Sequence, residues 1–222
     1  MARKDIRLID QLAKRQTWQD PLVDAVVATV LIRQVTPHKT GLIVDDYEIL
    51  VTKRLRGAEK NQHQGHHGGF LKTIDRDIYE GAIREVREEI GYELNPNHDL
   101  IYLTSLGPAL YRSELSLDES RREIVLQISE CEAEPNVAFV LPLFIADVSG
   151  RQPEEEVDGE VGEAIWMTAR QIIKKFGNKG DHPYSQFNYF QILMPALLFL
   201  KGKWSCGQRP DTLPGEYRFK YL

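Results

Sequence analysis

The sequence predicts an α/β domain of the α+β type, in which a mixed β-sheet packs between helices. A continuous β-branched segment at residues 23–32 indicates a buried strand, and a second apolar segment at 137–148 indicates another. Between them, the segment that ends at Ile90 has the periodicity of an amphipathic helix. Strands and helices do not alternate in a regular βαβ order, which favours a mixed sheet over a doubly wound parallel one.

Composition excludes several classes of protein. The chain has 222 residues with 42% hydrophobic residues, which argues against intrinsic disorder and fibrous repeats. Lys plus Arg total 28 against 33 for Asp plus Glu, so the net charge of −5 provides no general attraction for nucleic acid or anionic membranes. The longest apolar run, at 192–200, is interrupted by Pro195 and too short to span a bilayer. We therefore expect a cytoplasmic protein whose partners include neither a nucleic acid polymer nor a membrane.

The elements before the central helix are a helix, two strands and a long loop. Asp5 is a candidate cap for the helix, and the loop is rich in His and Gly with no periodicity. A loop of this length inside a compact domain is typical of a functional segment. The predicted elements are a helix at 5–16, strands at 23–32 and 47–54, and the loop at 57–69.

The central helix has well-defined predicted ends. It begins at Asp75 or Asp77, either of which is a suitable N-cap, and it ends at Ile90 with Gly91 as a left-handed cap. One face carries a core stripe of apolar side chains. The stripe consists of Tyr79, Ala82, Ile83, Val86 and Ile90.

The elements after this helix are less regular. The segment 117–130 suits either a strand or a helix, because its apolar residues fit both periods. An acidic run occupies 154–163, and an apolar helix is predicted around Phe187 to Leu200. The remaining predictions are strands at 101–105, 137–148 and 164–167 and a helix at 168–176.

Three glutamates share one ridge of the central helix. Glu85, Glu88 and Glu89 stand at positions i, i+3 and i+4. Like charges at this spacing cost roughly 0.2–0.5 kcal/mol per pair unless something neutralises them. The ridge suits a hard divalent cation, which prefers several oxygen ligands. An ordinary solvated helix face remains the alternative.

The segment from Arg84 to Tyr92, preceded by Gly68-Gly69, resembles the Nudix box, GX5EX7REUXEEXGU, where U is a bulky apolar residue. This resemblance implies an α/β/α sandwich that carries the box on a loop–helix–loop. It also implies a Nudix domain at 23–176, with an N-terminal helical extension at 1–22 and a C-terminal helical extension at 177–222 packed on the same domain. The aromatic residues of that last segment are expected to pack internally or to form a homodimer surface.

The resemblance further implies a site. Glu85 and Glu89 would bind Mg²⁺ or Mn²⁺, with Glu88 as a third ligand or the general base. Arg84 would orient the carboxylates. A main-chain carbonyl of the glycine pair, assigned to Gly69, would complete the ligand set.

Other residues are candidates for the base and for substrate contacts. Glu160 and Glu163, in the acidic run, are alternative bases. Four basic or imidazole side chains before or beside the glycines are candidates for phosphate or nucleobase binding. These are Arg54, Arg56, His66 and His67.

The sequence departs from the family pattern at the first glutamate of the box. That position, eight residues before Arg84, holds Arg76, and the spacing from Gly69 to Arg84 is one residue longer than standard. The longer spacing with Asp75 resembles the coenzyme A pyrophosphatase branch. Asp75 or Asp77 could replace the glutamate, although N-capping is the role we expect for either.

The function implied is metal-dependent hydrolysis of the pyrophosphate bond in a nucleoside diphosphate linked to another moiety. Substrates of the ADP-ribose, nucleotide-sugar and coenzyme A types all fit this description. The alternative is a Nudix-fold module that binds a nucleotide or regulates a partner without turnover, and the substitution of Arg76 for glutamate motivates it.

Overall fold

The computed structural model describes eleven stretches of the chain. They are residues 24–35, 44–56, 60–106, 111–130, 139–153, 159, 161–176, 187–188, 196, 199–200 and 215–221. The helix predicted at 5–16 and most of the acidic run lie outside these stretches. Within them, no helix is long and apolar enough to cross a membrane.

The described strands form two sheets, one of eight strands and one of three. The strands are β1 (Asp24–Ala25), β2 (Ala28–Gln34), β3 (Tyr47–Arg54), β4 (His63–Gln64), β5 (Leu100–Leu106), β6 (Tyr111–Asp118), β7 (Glu123–Glu130), β8 (Phe139–Asp147), β9 (Val161–Thr168), β10 (Phe187–Asn188) and β11 (Gly215–Lys220). The α-helices with described bounds are α1 (Ile78–Ile90) and α2 (Ala169–Phe176), and a short 3-10 helix, Val44–Asp46, precedes β3.

The larger sheet is mixed, as the sequence predicts. β2 runs parallel to β8 and antiparallel to β3. β9 pairs antiparallel with β3, and β5 pairs antiparallel with β8. The smaller sheet has the order β11-β7-β6 and is antiparallel throughout.

Of the two helices with described bounds, α1 and α2 pack on opposite faces of the larger sheet, because successive side chains of a strand point to opposite sides. On one face Val30 and Ile49 pack with Ile172 of α2. On the other face Leu31 packs with Val86 of α1. The core stripe predicted on the central helix is confirmed, since all five of its residues belong to or pack against this second cluster.

The segment that contains Gly68-Gly69 is hydrogen-bonded to the first residues of β2, an interior strand of this sheet, and to the residue before it. The Val27 amide donates to the Gly69 carbonyl at 2.9 Å. Thr29 and His67 exchange backbone hydrogen bonds of 2.7 and 2.8 Å. The loop that leads into α1 is therefore held by the same strand that forms part of the core.

Both ends of α1 follow from local chemistry. The side chain of Asp77 accepts hydrogen bonds from the amides of Tyr79 and Glu80 and caps the N-terminus. Gly91 adopts a left-handed φ of 72° and donates its amide to the carbonyl of Arg87. Of the two N-caps considered from the sequence, Asp77 is correct and Asp75 is wrong.

The C-terminal part decides one prediction that the sequence left open and differs from the sequence prediction in two places. The ambiguous segment at 117–130 contains the end of β6 and all of β7, so it is part of a hairpin. Phe187–Asn188 is a strand paired with β4, so the apolar helix predicted from Phe187 cannot start there, although Ala196, Phe199 and Leu200 are helical. β11, which pairs with β7, is not predicted from the sequence.

Candidate functional site

Arg84 links two carboxylates of the predicted ridge. Its Nη1 donates to Glu85 Oε1 and, at 2.9 Å, to Glu88 Oε2. The side chains of Arg84 and Glu85 are largely buried, whereas about a third of Glu88, 32%, is exposed. One guanidinium therefore partly neutralises two of the like charges that the sequence places together.

Asp75, and not the residue at the position of the family glutamate, is the carboxylate that supports Arg84. Its two oxygens accept from Arg84 Nε at 2.9 Å and from Nη2 at 2.8 Å, a bidentate arrangement. Nη2 also donates to the Phe70 carbonyl at 3.1 Å. Arg76, by contrast, is 86% exposed and pairs with Glu80 on the surface. The substitution at Arg76 thus leaves Arg84 with a bidentate carboxylate partner.

Lys72 is a site residue that the sequence pattern does not predict. Its ammonium donates to Glu88 Oε2 at 2.8 Å, and its amide donates to Asp75 Oδ2 at 2.7 Å. Although burial raises the pKa of Glu88, the hydrogen bonds from Lys72 and Arg84 outweigh that effect and hold it below its ordinary value. A lysine three residues after the glycine pair has no motif that would identify it from sequence.

Glu85 is the ridge carboxylate most affected by burial. Burial raises its pKa to about 7, and the opposing charge of Arg84 reduces this shift only in part. A cation close to this carboxylate would favour its ionised form. The protein neutralises the charge of Glu85 only in part. This is the property expected of a carboxylate that binds a metal cation.

His67 and Glu89 form a buried pair. His67 Nδ1 lies 3.2 Å from Glu89 Oε2, and the two side chains are 0% and 4% exposed. His66 is buried beside them, and burial lowers the pKa of each histidine to about 3. Because the His67 ring has no exposed surface, its contact in this structure is with a candidate metal ligand rather than with an open substrate pocket.

Three of the remaining predicted residues lie on β3, shortly after it, or on β9. Arg54, at the end of β3, donates to Gln64 Oε1 at 3.2 Å, and Arg56 is exposed two residues further on. Glu163 is exposed on β9. Glu160 lies outside the described residues.

The donor chemistry of the ridge fits a divalent metal, but the carboxylates are now engaged by the protein. Within the described residues, no three His, Cys, Asp or Glu side chains are gathered as a ready metal site. Glu85 and Glu88 contact Arg84, and Glu89 contacts His67. The Gly69 carbonyl accepts from Val27, which leaves one lone pair for a further partner. Metal binding here would use the carboxylate lone pairs that these contacts leave available.

Gly69→Ala is expected to weaken divalent metal binding with little loss of stability. A Cβ at residue 69 would lie 2.7 Å from Glu85 Oε2, so the carboxylate must move. We expect Mn²⁺ affinity to decrease by about tenfold, which is typical when the surroundings of a metal ligand are altered. Calorimetric titration of the metal-free protein measures this. An unchanged affinity would contradict the placement of Glu85 as a ligand.

The buried histidines predict destabilisation by acid. Their pKa is lowered in the folded protein, so the unfolded chain takes up protons first as pH falls below about 6.5, and stability decreases down to about pH 3. Each histidine contributes a slope of about 1.4 kcal/mol per pH unit. Glu85 acts oppositely between about pH 7 and 4.5, because its folded pKa is raised and protonation relieves its burial.

Between pH 6.5 and 5 we expect the free energy of unfolding to fall by about 1.4 kcal/mol for each pH unit, because the effect of two histidines is opposed by that of one glutamate. Urea unfolding in EDTA at several pH values tests it. In His66→Gln the slope should fall close to zero. A wild-type stability that is constant or rises over this interval would show that the histidines are not buried as neutral groups.

Comparisons with known proteins give one family and several similar structures. The family model described as NUDIX domain matches residues 39–187. The NUDIX domain of Shewanella oneidensis NrtR, solved with ADP ribose, is 14% identical, with 86% of this chain and 97% of that one covered and a TM-score of 0.50. No curated protein matches the sequence.

Two further structures are similar at lower scores. A MutT/nudix family protein from Enterococcus faecalis is 16% identical with a TM-score of 0.44, and the match covers 70% of this chain but only 48% of that one. A NUDIX hydrolase from Nitrosomonas europaea is 14% identical with a TM-score of 0.46, and 86% of this chain and 99% of that one are covered.

Proposed function

Because this chain belongs to the Nudix family, we propose that it is a metal-dependent hydrolase that cleaves the pyrophosphate bond of a nucleoside diphosphate linked to another moiety. Family membership supports pyrophosphohydrolase activity in general. The metal requirement and the substrate type are the specific parts of the proposal.

The observation that carries the proposal is the arrangement around Arg84. A solvated acidic helix face would have no need of a buried guanidinium, yet Arg84 is buried against Asp75 and contacts Glu85 and Glu88. Burying charged groups is costly unless each is paired. The buried ion pairs therefore hold the ridge carboxylates in fixed positions, which favours a binding site over a solvated helix face.

The ligands in this proposal are Glu85, Glu89 and the Gly69 carbonyl, with Glu88 as a third carboxylate ligand or the general base. When bound, Mg²⁺ or Mn²⁺ would neutralise charge on the pyrophosphate and lower the pKa of an attacking water. Arg84 fixes the carboxylates of Glu85 and Glu88 relative to each other.

Glu88 is proposed as the base because its exposed third reaches solvent, where a water molecule can approach the carboxylate. Lys72, bound to Glu88 Oε2, holds that carboxylate in place and keeps it ionised near neutral pH. Glu160 and Glu163 remain the alternative bases. Arg54, Arg56 and His66 are proposed to contact the substrate, the two arginines through its phosphates.

ADP-ribose is the first substrate to test. The Shewanella NrtR domain, which shares the fold, was solved with ADP ribose. A nucleotide sugar and coenzyme A are the other substrate types that the proposal covers. Coenzyme A is included because the longer spacing of the box, with Asp75, resembles the coenzyme A pyrophosphatase branch.

The alternative function is a Nudix-fold module that binds a nucleotide without turnover. The engagement of the ridge carboxylates by Arg84 and Lys72 favours this alternative, because such contacts compensate part of the charge without metal. The two functions differ in turnover and not in binding.

The test is an assay with ADP-ribose, a nucleotide sugar, a dinucleotide and coenzyme A, each with Mg²⁺, Mn²⁺ or EDTA. Phosphate released after phosphatase coupling measures cleavage. If the protein is a metal-dependent hydrolase, at least one substrate yields product with Mg²⁺ or Mn²⁺ and none yields product in EDTA. Ligand binding by calorimetry without product would support the binding module instead.

A further inference from the structure

His67 occupies an unusual position between the sheet and α1. Its backbone exchanges two hydrogen bonds with Thr29, and its ring reaches Glu89. The next residue, Gly68, is packed so closely that a Cβ there would lie 1.9 Å from the Val27 carbonyl oxygen. The direction of the His67 side chain is therefore fixed by the sheet and not by a free loop.

Glu89 requires a partner because its side chain is 4% exposed. A buried carboxylate without hydrogen bonds would be strongly unfavourable. Arg84 and Lys72 donate hydrogen bonds to the other two ridge glutamates, Glu85 and Glu88. The ring of His67, whose backbone is paired with Thr29 of β2, places Nδ1 3.2 Å from Glu89 Oε2.

We propose that His67 is a positioning residue that holds the Glu89 carboxylate for metal binding through a hydrogen bond from Nδ1–H to Oε2. This inference rests on the proposed function, because it assigns His67 a role toward the same metal. A carboxylate oriented by a second hydrogen-bonded group loses less conformational freedom when it binds a cation. A neutral imidazole has one N–H, and the proposal places it on Nδ1, which faces Glu89 Oε2.

Two substitutions separate positioning from simple packing. In His67→Asn the side-chain amide can donate from nearly the place of Nδ1, whereas in His67→Gln the amide lies closer to the place of Nε2. We expect His67→Gln to lower Mn²⁺ affinity by about 10–100-fold and His67→Asn to stay within about threefold of the wild type. His63→Asn is the control, since that ring stacks near Phe176 on the other face of the sheet.

The measurement is calorimetric titration of the EDTA-treated, dialysed protein with Mn²⁺ alone. Thermal unfolding in EDTA reports any purely structural effect of each variant. Equal Mn²⁺ affinity in the wild type and both His67 variants would overturn the positioning role and leave the proposed function intact. Absence of Mn²⁺ binding by the wild type would overturn both.

A second measurement needs no substitution, in case His67→Gln does not fold. ¹⁵N chemical shifts of the imidazole in the wild-type protein distinguish the two neutral tautomers. The proposal requires the hydrogen on Nδ1 in the metal-free protein. A hydrogen found on Nε2 alone would overturn it.

Discussion

Asp75→Asn is expected to destabilise the protein by about 3 kcal/mol, because it removes one partner of a buried ion pair. Asp75 and Arg84 are 4% and 6% exposed and share two hydrogen bonds. Hydrogen bonds and charge from Arg84 outweigh burial and hold the pKa of Asp75 below its ordinary value. Arg84 would retain its contacts with Glu85 and Glu88. The expected destabilisation is therefore at the lower end of the range for broken buried ion pairs. Urea unfolding in EDTA at pH 7 measures it.

The matched control is Arg76→Glu, which restores the family residue at the neighbouring position. Arg76 is exposed and forms a surface ion pair with Glu80, so its replacement should change the free energy of unfolding by no more than about 0.5 kcal/mol. If Arg76→Glu stabilised the protein while Asp75→Asn left it unaffected, Asp75 would not be the carboxylate on which Arg84 depends.

Glu88→Gln is expected to lower kcat/KM by a factor of about 10²–10⁴, the contribution usual for a general base. The amide is nearly isosteric but can neither accept a proton in the reaction nor carry the charge that Lys72 and Arg84 contact. Stability should fall by only about 1 kcal/mol, since the side chain is partly exposed. Steady-state kinetics with the best substrate of the panel, together with urea unfolding, separates the two effects.

Glu80→Gln is the control for this substitution. It makes the same chemical change on the same helix, but Glu80 contacts Arg76 on the surface. We expect its activity to stay within about twofold of the wild type. Activity of Glu88→Gln at the wild-type level would transfer the role of base to Glu160 or Glu163, and Gln variants of those residues would then be the next measurement.

The fold could be predicted wherever local pattern and tertiary packing agree. Strand β3 has the predicted bounds, and α1 ends at Ile90 with Gly91 as its cap, because caps and an amphipathic stripe are local properties. β11 was missed because it is stabilised by pairing with β7, a strand distant in sequence. Phe187 was assigned to a helix because apolar character alone does not distinguish the two structures.

The candidate site was predicted only as far as its motif extends. The spacing of Glu85, Glu88 and Glu89 identifies the ridge, whereas the partners of those residues come from the preceding loop. Spacing alone could not show that Asp75 contacts Arg84 or that Lys72 contacts Glu88, since both depend on the path of that loop. His67 was predicted to be available to substrate, and its burial follows from backbone pairing with Thr29.

The parallel pairing of β2 with β8 has a consequence for biosynthesis. Residues from Ala28 to Ile32 pair with residues from Leu143 to Asp147, more than a hundred positions later in the chain. A nascent polypeptide that already contains the helix and its acidic ridge still exposes one edge of β2 until β8 leaves the ribosome. Premature termination before Asp147 would therefore yield a product with an uncovered apolar strand, the kind of species that aggregates or needs a chaperone.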